Sequence, residues 1–207
     1  MNNIKELLSS TKTTDVRKAA RFLQKNLMPE FEDLVLESFK NQLNKGQRSW
    51  ETICTLIKCI GLNQYRTALP LIEGIVDLNE EHDAITIEAG LALIRLKRID
   101  LSDVSEILKR LSTTKFSLAY GMFNALGYDK MQPCASDVKT IIDFAWDFGI
   151  NEEKGYGDPR YGLIAACAGW DKSLVKDFLY HILTTTDFTN IRYIAENSLI
   201  GKYVRLA

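Results

Sequence analysis

Two histidines are the side chains best suited to acid–base or metal chemistry near neutral pH. They are His82 and His181, 99 positions apart, and neither belongs to a His-x-x-x-His pair that would place two ligands on one helical face. The chain also has four cysteines without a Cys-x-x-Cys pair: Cys54, Cys59, Cys134 and Cys167. We therefore predict no catalytic residues, no metal and no cofactor, and we expect reduced cysteines that pack as small hydrophobic side chains.

A long acidic loop is predicted between residues 150 and 158. Segment 137–158 holds six acidic and two basic residues, a net charge of −4. Gly155-Tyr156-Gly157 follows no strand and precedes no Lys-Ser or Lys-Thr, which disfavours a phosphate-binding loop. Long loops on rigid scaffolds often carry function, so we expect Glu152, Glu153 and Tyr156 to bind a partner protein with a basic surface. A solvated acidic loop without a binding role is the alternative.

The elements that must position these residues are all predicted to be helices. Apolar residues recur with a period of 3.6, as in Val138, Ile141, Ile142 and Ala145, and two-residue alternation is nearly absent. The predicted helices cover residues 3–10, 14–26, 30–44, 49–60, 65–78, 83–97, 101–112, 115–126, 135–148, 159–169, 172–184 and 189–203. Five glycines that follow apolar segments are expected to end helices: Gly46, Gly61, Gly127, Gly149 and Gly201.

The second helices of successive pairs resemble one another. Each has a small residue followed about three positions later by a larger apolar one, and the small residues lie 29 to 47 positions apart. They are Ala20, Cys54, Ala89, Ala119, Ala166 and Ala195. A repeated unit of this size is too small to bury its own apolar face, so it must stack on its neighbours. The pattern predicts about six antiparallel helix pairs in a single domain covering residues 1–207.

Two segments resemble the HEAT-repeat family. The run from Asp15 through Val16-Arg17 to Ala19-Ala20 is similar to the Asp-x-x-Val-Arg-x-x-Ala-Ala of a HEAT second helix, with two positions fewer after the Asp. Leu69-Pro70-Leu71-Ile72 is similar to the Leu-Pro-x-Leu of a first helix. The resemblance implies an all-α, right-handed α-α superhelix, a HEAT-like solenoid. It also implies that Asp15 and Arg17 form a ladder of contacts between repeats.

In a HEAT-like solenoid the second helices line the inner surface, so their polar residues are candidates for partner binding. On the predicted helices 49–60, 83–97 and 189–203 the charged residues of this face are Glu51, Lys58, Glu88, Arg95, Arg192 and Glu196, and the first five are the candidate binding residues. Their signs alternate along the face, whereas binding to phosphates would require a run of Arg and Lys. This second set is the alternative to the 150–158 loop as the binding site.

The aromatic residues are mostly predicted to lie in the core. Trp50 and Trp146 continue apolar stripes, whereas Trp170 follows a glycine and is expected to be half exposed. Helix 115–126 is apolar around most of its circumference, and we expect its thin polar line of Ser117, Gly121 and Asn124 to face solvent.

Composition and charge restrict the class of protein. The 207 residues include 26 basic and 27 acidic ones, and no apolar run approaches the ~18 residues of a membrane span. The N-terminus lacks the basic and apolar regions of a signal peptide, so we expect a cytoplasmic protein without membrane contact. The charge is balanced, whereas nucleic-acid-binding proteins normally have a basic face, so nucleic acid is a disfavoured partner.

These observations favour a non-enzymatic protein-binding scaffold, such as an intracellular inhibitor or immunity-type protein that blocks one partner protein. The first alternative is a HEAT-like nucleic-acid-binding protein of the alkylpurine DNA glycosylase kind, for which Trp146 and Asp147 are the nearest equivalent pair. The second is an enzyme that handles a small molecule on a helical scaffold. A basic inner face would favour the first alternative, and a polar pocket with a carboxylate of shifted pKa the second.

Overall fold

The computed structural model describes residues 2–148 and 157–206, apart from the side chains of Asn2 and Gln47. Within these residues the chain is all-helical and contains no strand. The twelve α-helices are α1 (Asn2–Leu8), α2 (Thr13–Lys25), α3 (Glu32–Leu43), α4 (Trp50–Asn63), α5 (Leu69–Leu78), α6 (Ala84–Lys97), α7 (Ser105–Arg110), α8 (Phe116–Tyr128), α9 (Ala135–Ala145), α10 (Tyr161–Ala166), α11 (Lys172–Thr185) and α12 (Thr189–Leu199). Each corresponds to a helix predicted from the periodicity.

Local hydrogen bonds determine where several helices begin. Asp83 caps α6 by accepting from the backbone N–H of Thr86, and Asp171 caps α11 in the same way through Ser173. Predicted helix 101–112 begins only at Ser105, because Asp103 accepts from the backbone N–H of Ile99 and Ser105 and holds a turn.

The even-numbered helices form a continuous row. α2 packs on α4, α4 on α6, α6 on α8, α8 on α10 and α10 on α12. The odd-numbered helices lie beside this row, where α1 contacts α3, α7 contacts α9 and α9 contacts α11. Within the predicted helix pairs, α1 contacts α2, α3 contacts α4, α5 contacts α6, and α11 contacts α12. Consecutive helix pairs therefore stack on one another in chain order.

Hydrogen bonds between neighbouring pairs repeat at a nearly constant sequence separation. The Ser117 hydroxyl accepts from the backbone N–H of Asp83, and Asp129 accepts from Arg95, both across 34 positions. Since the first contact joins the starts of α6 and α8 and the second joins their ends, the two helices run in the same direction. Ser198 donates to the carbonyl of Ile164 across 34 positions as well.

Glycines allow three helices in the middle of the row to approach closely. A Cβ atom at Gly121 of α8 would lie 2.1 Å from the carbonyl oxygen of Ile87 in α6. One at Gly162 of α10 would lie 2.3 Å from the carbonyl oxygen of Phe123 in α8. Gly127, predicted to end α8, lies inside it and would place a Cβ atom 2.4 Å from the carbonyl oxygen of Gly162.

The other glycines that were predicted to end helices have two different roles. Gly46 and Gly201 adopt positive φ angles of 62° and 75° next to helices, as predicted for helix-ending residues. Gly61 lies inside α4 against Ala92, and α4 ends instead at Gln64, which has a φ of 55°. Gly149 lies outside the described residues.

Several predictions about the core were wrong. Trp50 is 49 % exposed because it is the first residue of α4, before the helix enters the core. Trp170 is only 5 % exposed, and its indole N–H donates to the carbonyl of Met131 at 2.8 Å. The line of Ser117, Gly121 and Asn124 is buried rather than solvent-facing, because α8 packs against helices on both sides.

No helix within residues 2–148 and 157–206 combines the length and apolar character that crossing a bilayer requires.

Candidate functional site

Four helices of the even-numbered row bring polar and aromatic side chains together near the middle of the molecule. Tyr120, Asn124 and Tyr128 lie four positions apart on α8 and so share one helical face. The same region contains Lys58 of α4, Glu88 and Arg95 of α6, and Tyr161 of α10. We call these seven residues the central cluster.

The packing of α8 on its neighbours places Glu88 and Asn124 at the same level of the row. Gly121 lies against Ile87, the residue before Glu88, and Gly162 lies against the backbone of Asn124. Tyr161 directly precedes Gly162, so its side chain starts from this level too. The backbones beside Glu88, Asn124 and Tyr161 therefore approach one another closely across three helices.

Glu88 is the chemically unusual member of the cluster. Its side chain is half-buried, and its Oε2 atom is buried without a hydrogen-bond partner. Burial raises the pKa of Glu88 above its ordinary value, and the positive charges of Lys58 and Arg95 only partly oppose this shift. Neither cation lies within 4.0 Å of the carboxylate, since no ion pair joins either of them to Glu88 within the part of the chain described. The carboxylate thus occupies a partly desolvated position with an unused acceptor.

The two cations nearest to Glu88 have other partners. Lys58 Nζ lies 6.0 Å from the centre of the Tyr128 ring, a distance that permits a weak cation–π contact. Arg95 is 6 % exposed and binds Asp129 through Nε and Nη2, at 2.8 and 2.7 Å. Its Nη1 atom is buried without a hydrogen-bond partner.

Asp129 shows how the fold stabilises a partly buried carboxylate. It accepts from Arg95 and also from Arg98 Nη1 at 2.6 Å. Burial raises the pKa of Asp129, but the hydrogen bonds and charges of the two arginines outweigh it and hold the pKa below its ordinary value. Asp129 is therefore a structural ion-pair residue at the ends of α6 and α8.

Asn124 and the tyrosines form the rest of the cluster. Asn124 is 7 % exposed, and its Oδ1 atom is buried without a hydrogen-bond partner. The Tyr120 and Tyr161 rings are stacked, with centres 6.5 Å apart and planes inclined by 19°. Burial raises the pKa of Tyr120 and Tyr128, so both phenols stay neutral and retain their hydroxyl donors near neutral pH. The cluster combines unused acceptors with flat aromatic surfaces.

The predicted inner-face residues divide into two groups. Lys58 and Arg95 lie close enough to Glu88 for their charges to act on its carboxylate. Glu51 is exposed and pairs with Arg17 of α2 instead. Arg192 is exposed on α12, where its Nη1 atom donates to the carbonyl of Leu183 near the end of α11 at 2.7 Å. Since α8 and α10 separate α12 from α6, Arg192 does not belong to the cluster.

The HEAT-type ladder expected of Asp15 and Arg17 takes a different form. Arg17 contacts the next helix pair through Glu51 and the hydroxyl of Thr52, whereas Asp15 accepts from the nearby hydroxyl of Ser10.

Only the last two residues of the predicted acidic loop, Gly157 and Asp158, belong to the described residues. Glu152, Glu153 and Tyr156 lie outside the described residues. Asp158, counted in the acidic excess of this segment, is buried and forms a two-point ion pair with Arg160 at 2.8 and 2.9 Å. Arg160 also donates to the carbonyl of Trp146. Asp158 is therefore a structural residue and contributes no free negative charge.

Trp146 and Asp147, the pair expected in a glycosylase-like site, lie next to residues of helix α11. The Trp146 ring stacks on His181 with centres 4.8 Å apart and packs near Phe178 at 6.1 Å. Asp147 Oδ1 lies 3.4 Å from His181 Nε2, but the two atoms form no hydrogen bond, and the Asp147 side chain is 79 % exposed. Exposure to water screens this interaction, so the pair has little reason to act on a buried substrate.

Sequence reasoning missed Tyr120, Asn124, Tyr128 and Tyr161 as site residues. The signal was present, because Tyr120, Asn124 and Tyr128 recur every four residues in a helix that is otherwise almost entirely apolar. A tyrosine fits an apolar pattern through its ring, and its polar hydroxyl end is therefore easily overlooked in such a helix.

Among the described residues, no three His, Cys, Asp or Glu side chains form a group that could hold a metal ion. Comparisons with known proteins give no match to the chain, whether with protein-family models, with curated proteins or with solved structures. Over the described residues the fold defines an all-helical protein in which the even-numbered helices pack in a continuous row.

Proposed function

We propose that this chain is a non-enzymatic protein-binding scaffold, built as a right-handed HEAT-like solenoid, and that its partner docks on the central cluster. The single observation that carries the proposal is the set of unpartnered buried polar atoms on Glu88, Arg95 and Asn124, beside three tyrosines. Buried polar groups in folded proteins nearly always have hydrogen-bond partners. Three exceptions in one region indicate a surface that is completed by another molecule.

The composition of the cluster suits a protein partner. Tyrosine and arginine are enriched at the centres of protein interfaces, because they bury a large area and still form directed hydrogen bonds. The row of parallel even-numbered helices supports the solenoid, since every helix in it contacts the next one along the chain. An inhibitor or immunity-type role in the cytoplasm is the more specific form of the proposal.

Affinity capture with the tagged full-length chain from its own cells tests the proposal. Three baits are compared: the wild type, a Glu88→Gln/Tyr120→Ala variant, and a Glu80→Gln control in an exposed loop. One stoichiometric protein that is retained by the wild type and the control but lost by the cluster variant is expected. Capture of no protein by any bait would refute the protein-binding function.

A fourth bait tests the acidic loop as the alternative binding site. In that bait Glu152 and Glu153 are both changed to Lys. If the partner is lost from this bait and kept by the cluster variant, the binding site is the loop rather than the central cluster.

A small-molecule-binding function is the second candidate. It is favoured by the raised pKa of Glu88, because carboxylates with shifted pKa values concentrate at ligand and catalytic sites. Equilibrium dialysis of the purified chain against a metabolite extract, analysed by mass spectrometry, would detect such a ligand. Enrichment by the wild type that is lost in Glu88→Gln would support it.

A further inference from the structure

The segment after α12 folds back across the row and reaches the end of α8. The phenol oxygen of Tyr203 accepts from Gln132 Nε2 at 3.1 Å, a contact that spans 71 positions. The Leu206 side chain lies beside Gly127, where an added Cβ atom would be 2.9 Å from Leu206 Cδ1. Residues 203–206 therefore have a defined place in the fold, although they belong to no helix.

A cavity of about 440 Å³ lies between this segment and the end of α8, and we call it the α8 pocket. Its volume is within the range of small-molecule sites. Gly127, Tyr128 and Lys130 line it on one side, and residues 203–206 line it on the other. Two of these side chains are cationic, Lys130 and Arg205, and none of the described lining residues is acidic. The α8 pocket therefore has a positively charged lining.

The two cations of the α8 pocket are not used by the fold. Lys130 Nζ lies 4.7 Å from the centre of the Tyr203 ring, which holds the ammonium group without taking up its charge. Within the described residues, neither Lys130 nor Arg205 forms an ion pair with a carboxylate. The adjacent Asp129 is already bound by two arginines at the end of α6. Both positive charges are therefore available to an incoming anion.

The number of charges and the aromatic lining narrow the class of ligand. A phosphate monoester carries close to two negative charges and three acceptor oxygens at neutral pH, whereas a carboxylate carries one charge and two oxygens. Arginine donates to phosphate at two points, and lysine adds a compact positive charge. Tyr128 and Tyr203 line the same cavity, so a flat ring on the ligand has aromatic side chains to pack against.

From this arrangement we propose that the α8 pocket binds a small molecule that carries a phosphate monoester on a flat ring. Lys130 and Arg205 hold the phosphate, and the ring packs beside Tyr128 and Tyr203. Both cations are exposed, so water and salt screen them, and each one contributes modestly to the affinity. The inference goes beyond the proposed function, since it needs no protein partner.

Three probes separate the parts of the ligand. Phenyl phosphate has the phosphate and the ring, benzoate has the ring with a single charge, and inorganic phosphate has no ring. Each is titrated into the full-length chain, and the backbone amide NMR shifts of Lys130 and Tyr203 report binding. Phenyl phosphate should bind at least about threefold more tightly than either of the other probes. Benzoate or inorganic phosphate that binds as tightly as phenyl phosphate would overturn the inference, and so would the absence of any shift.

Matched variants locate the phosphate group. Lys130→Gln and Arg205→Gln should each weaken the binding of phenyl phosphate by about threefold or more, and the double variant by about tenfold. Lys202→Gln removes an exposed cation that does not line the pocket, three positions before Arg205, and should change the affinity by less than about twofold. Circular dichroism melting curves verify that all variants are folded. Equal losses in the three single variants would mean that only the general positive field attracts the probe, which contradicts a site.

Glu88→Gln separates the α8 pocket from the central cluster, which shares Tyr128 with it. This variant removes a negative charge that acts on Tyr128, so phenyl phosphate should bind equally well or slightly more tightly. A loss of binding in Glu88→Gln would place the ligand at the central cluster and overturn the inference. Phenyl phosphate binding by a chain that captures no protein would refute the proposed scaffold function alone.

Discussion

Replacing Gly121 with alanine tests the close packing that places the cluster. A Cβ atom at this position would lie 2.1 Å from the carbonyl oxygen of Ile87 and 2.9 Å from the carbonyl carbon. Ordinary contact begins near 3.4 Å, so α6 and α8 must move apart by about 1.3 Å. Because both obstacles are backbone atoms, no side-chain rotation can relieve the contact.

The expected magnitude follows from two opposing effects. Overpacking of a core costs about 1–3 kcal/mol, and a backbone contact falls at the upper end of this range. Alanine is favoured over glycine inside a helix by about 1 kcal/mol, which offsets part of the loss. Gly121→Ala should therefore lower the free energy of unfolding by about 2 kcal/mol.

Gly74→Ala is the matched control, because Gly74 is exposed in α5 and a Cβ atom there would meet nothing within 4 Å. It should raise the free energy of unfolding by up to about 1 kcal/mol through helix propensity alone. Urea denaturation followed by far-UV circular dichroism measures both variants against the wild type. A Gly121→Ala protein as stable as the wild type would refute the close approach of α6 and α8.

Three further predictions concern stability. Glu88→Gln should stabilise the free protein increasingly as pH rises above 4.5, the ordinary pKa, because the raised pKa makes deprotonation costlier in the folded state. Urea unfolding at several pH values measures this, and a pH-independent difference would contradict it. Asp129→Asn should cost about 3 kcal/mol by leaving the buried Arg95 and the partly buried Arg98 without their carboxylate, and a loss below about 1 kcal/mol in thermal or urea unfolding would contradict this. Trp170→Phe should cost about 1–3 kcal/mol because the Met131 carbonyl loses its donor, whereas Trp50→Phe should stay within about 0.5 kcal/mol; similar losses would mean that the indole bond contributes nothing.

The helices could be predicted from the sequence because their signals are local. The apolar period of 3.6 and capping residues such as Asp83 and Asp171 act within one or two turns of the chain. One four-residue error in a helix boundary lies where a local turn competes with the helix. Asp100 and Asp103 bind nearby backbone N–H groups, and α7 therefore begins at Ser105 rather than near residue 101.

The packing of the helices could not be predicted in the same way, since it depends on residues far apart in the chain. A glycine near the end of an apolar segment suits a helix end and also suits a close helix contact. Gly46 and Gly201 have the first role, whereas Gly61 and Gly127 have the second. Only the identity of the neighbouring helix distinguishes the two roles.

The candidate site was predicted in part for the same reason. Lys58, Glu88 and Arg95 lie near one another because they belong to adjacent helices of the row, and their role in partner binding stays a prediction. The partners of Glu51 and Arg192 depend on Arg17 and Leu183, which no single-helix pattern identifies. The partners of a polar residue decide its role, and those partners come from the tertiary structure.

A comparison of three carboxylates explains why the central cluster is better understood as a site than as part of the scaffold. Asp129 is held by two arginines, and the buried Asp158 is held at two points by Arg160. The fold thus provides arginine partners for carboxylates that serve its own stability. Glu88 has a buried oxygen without such a partner, a placement that lowers the stability of the free chain. A cost of this kind is typical of binding sites, where a group is positioned for a molecule that arrives later.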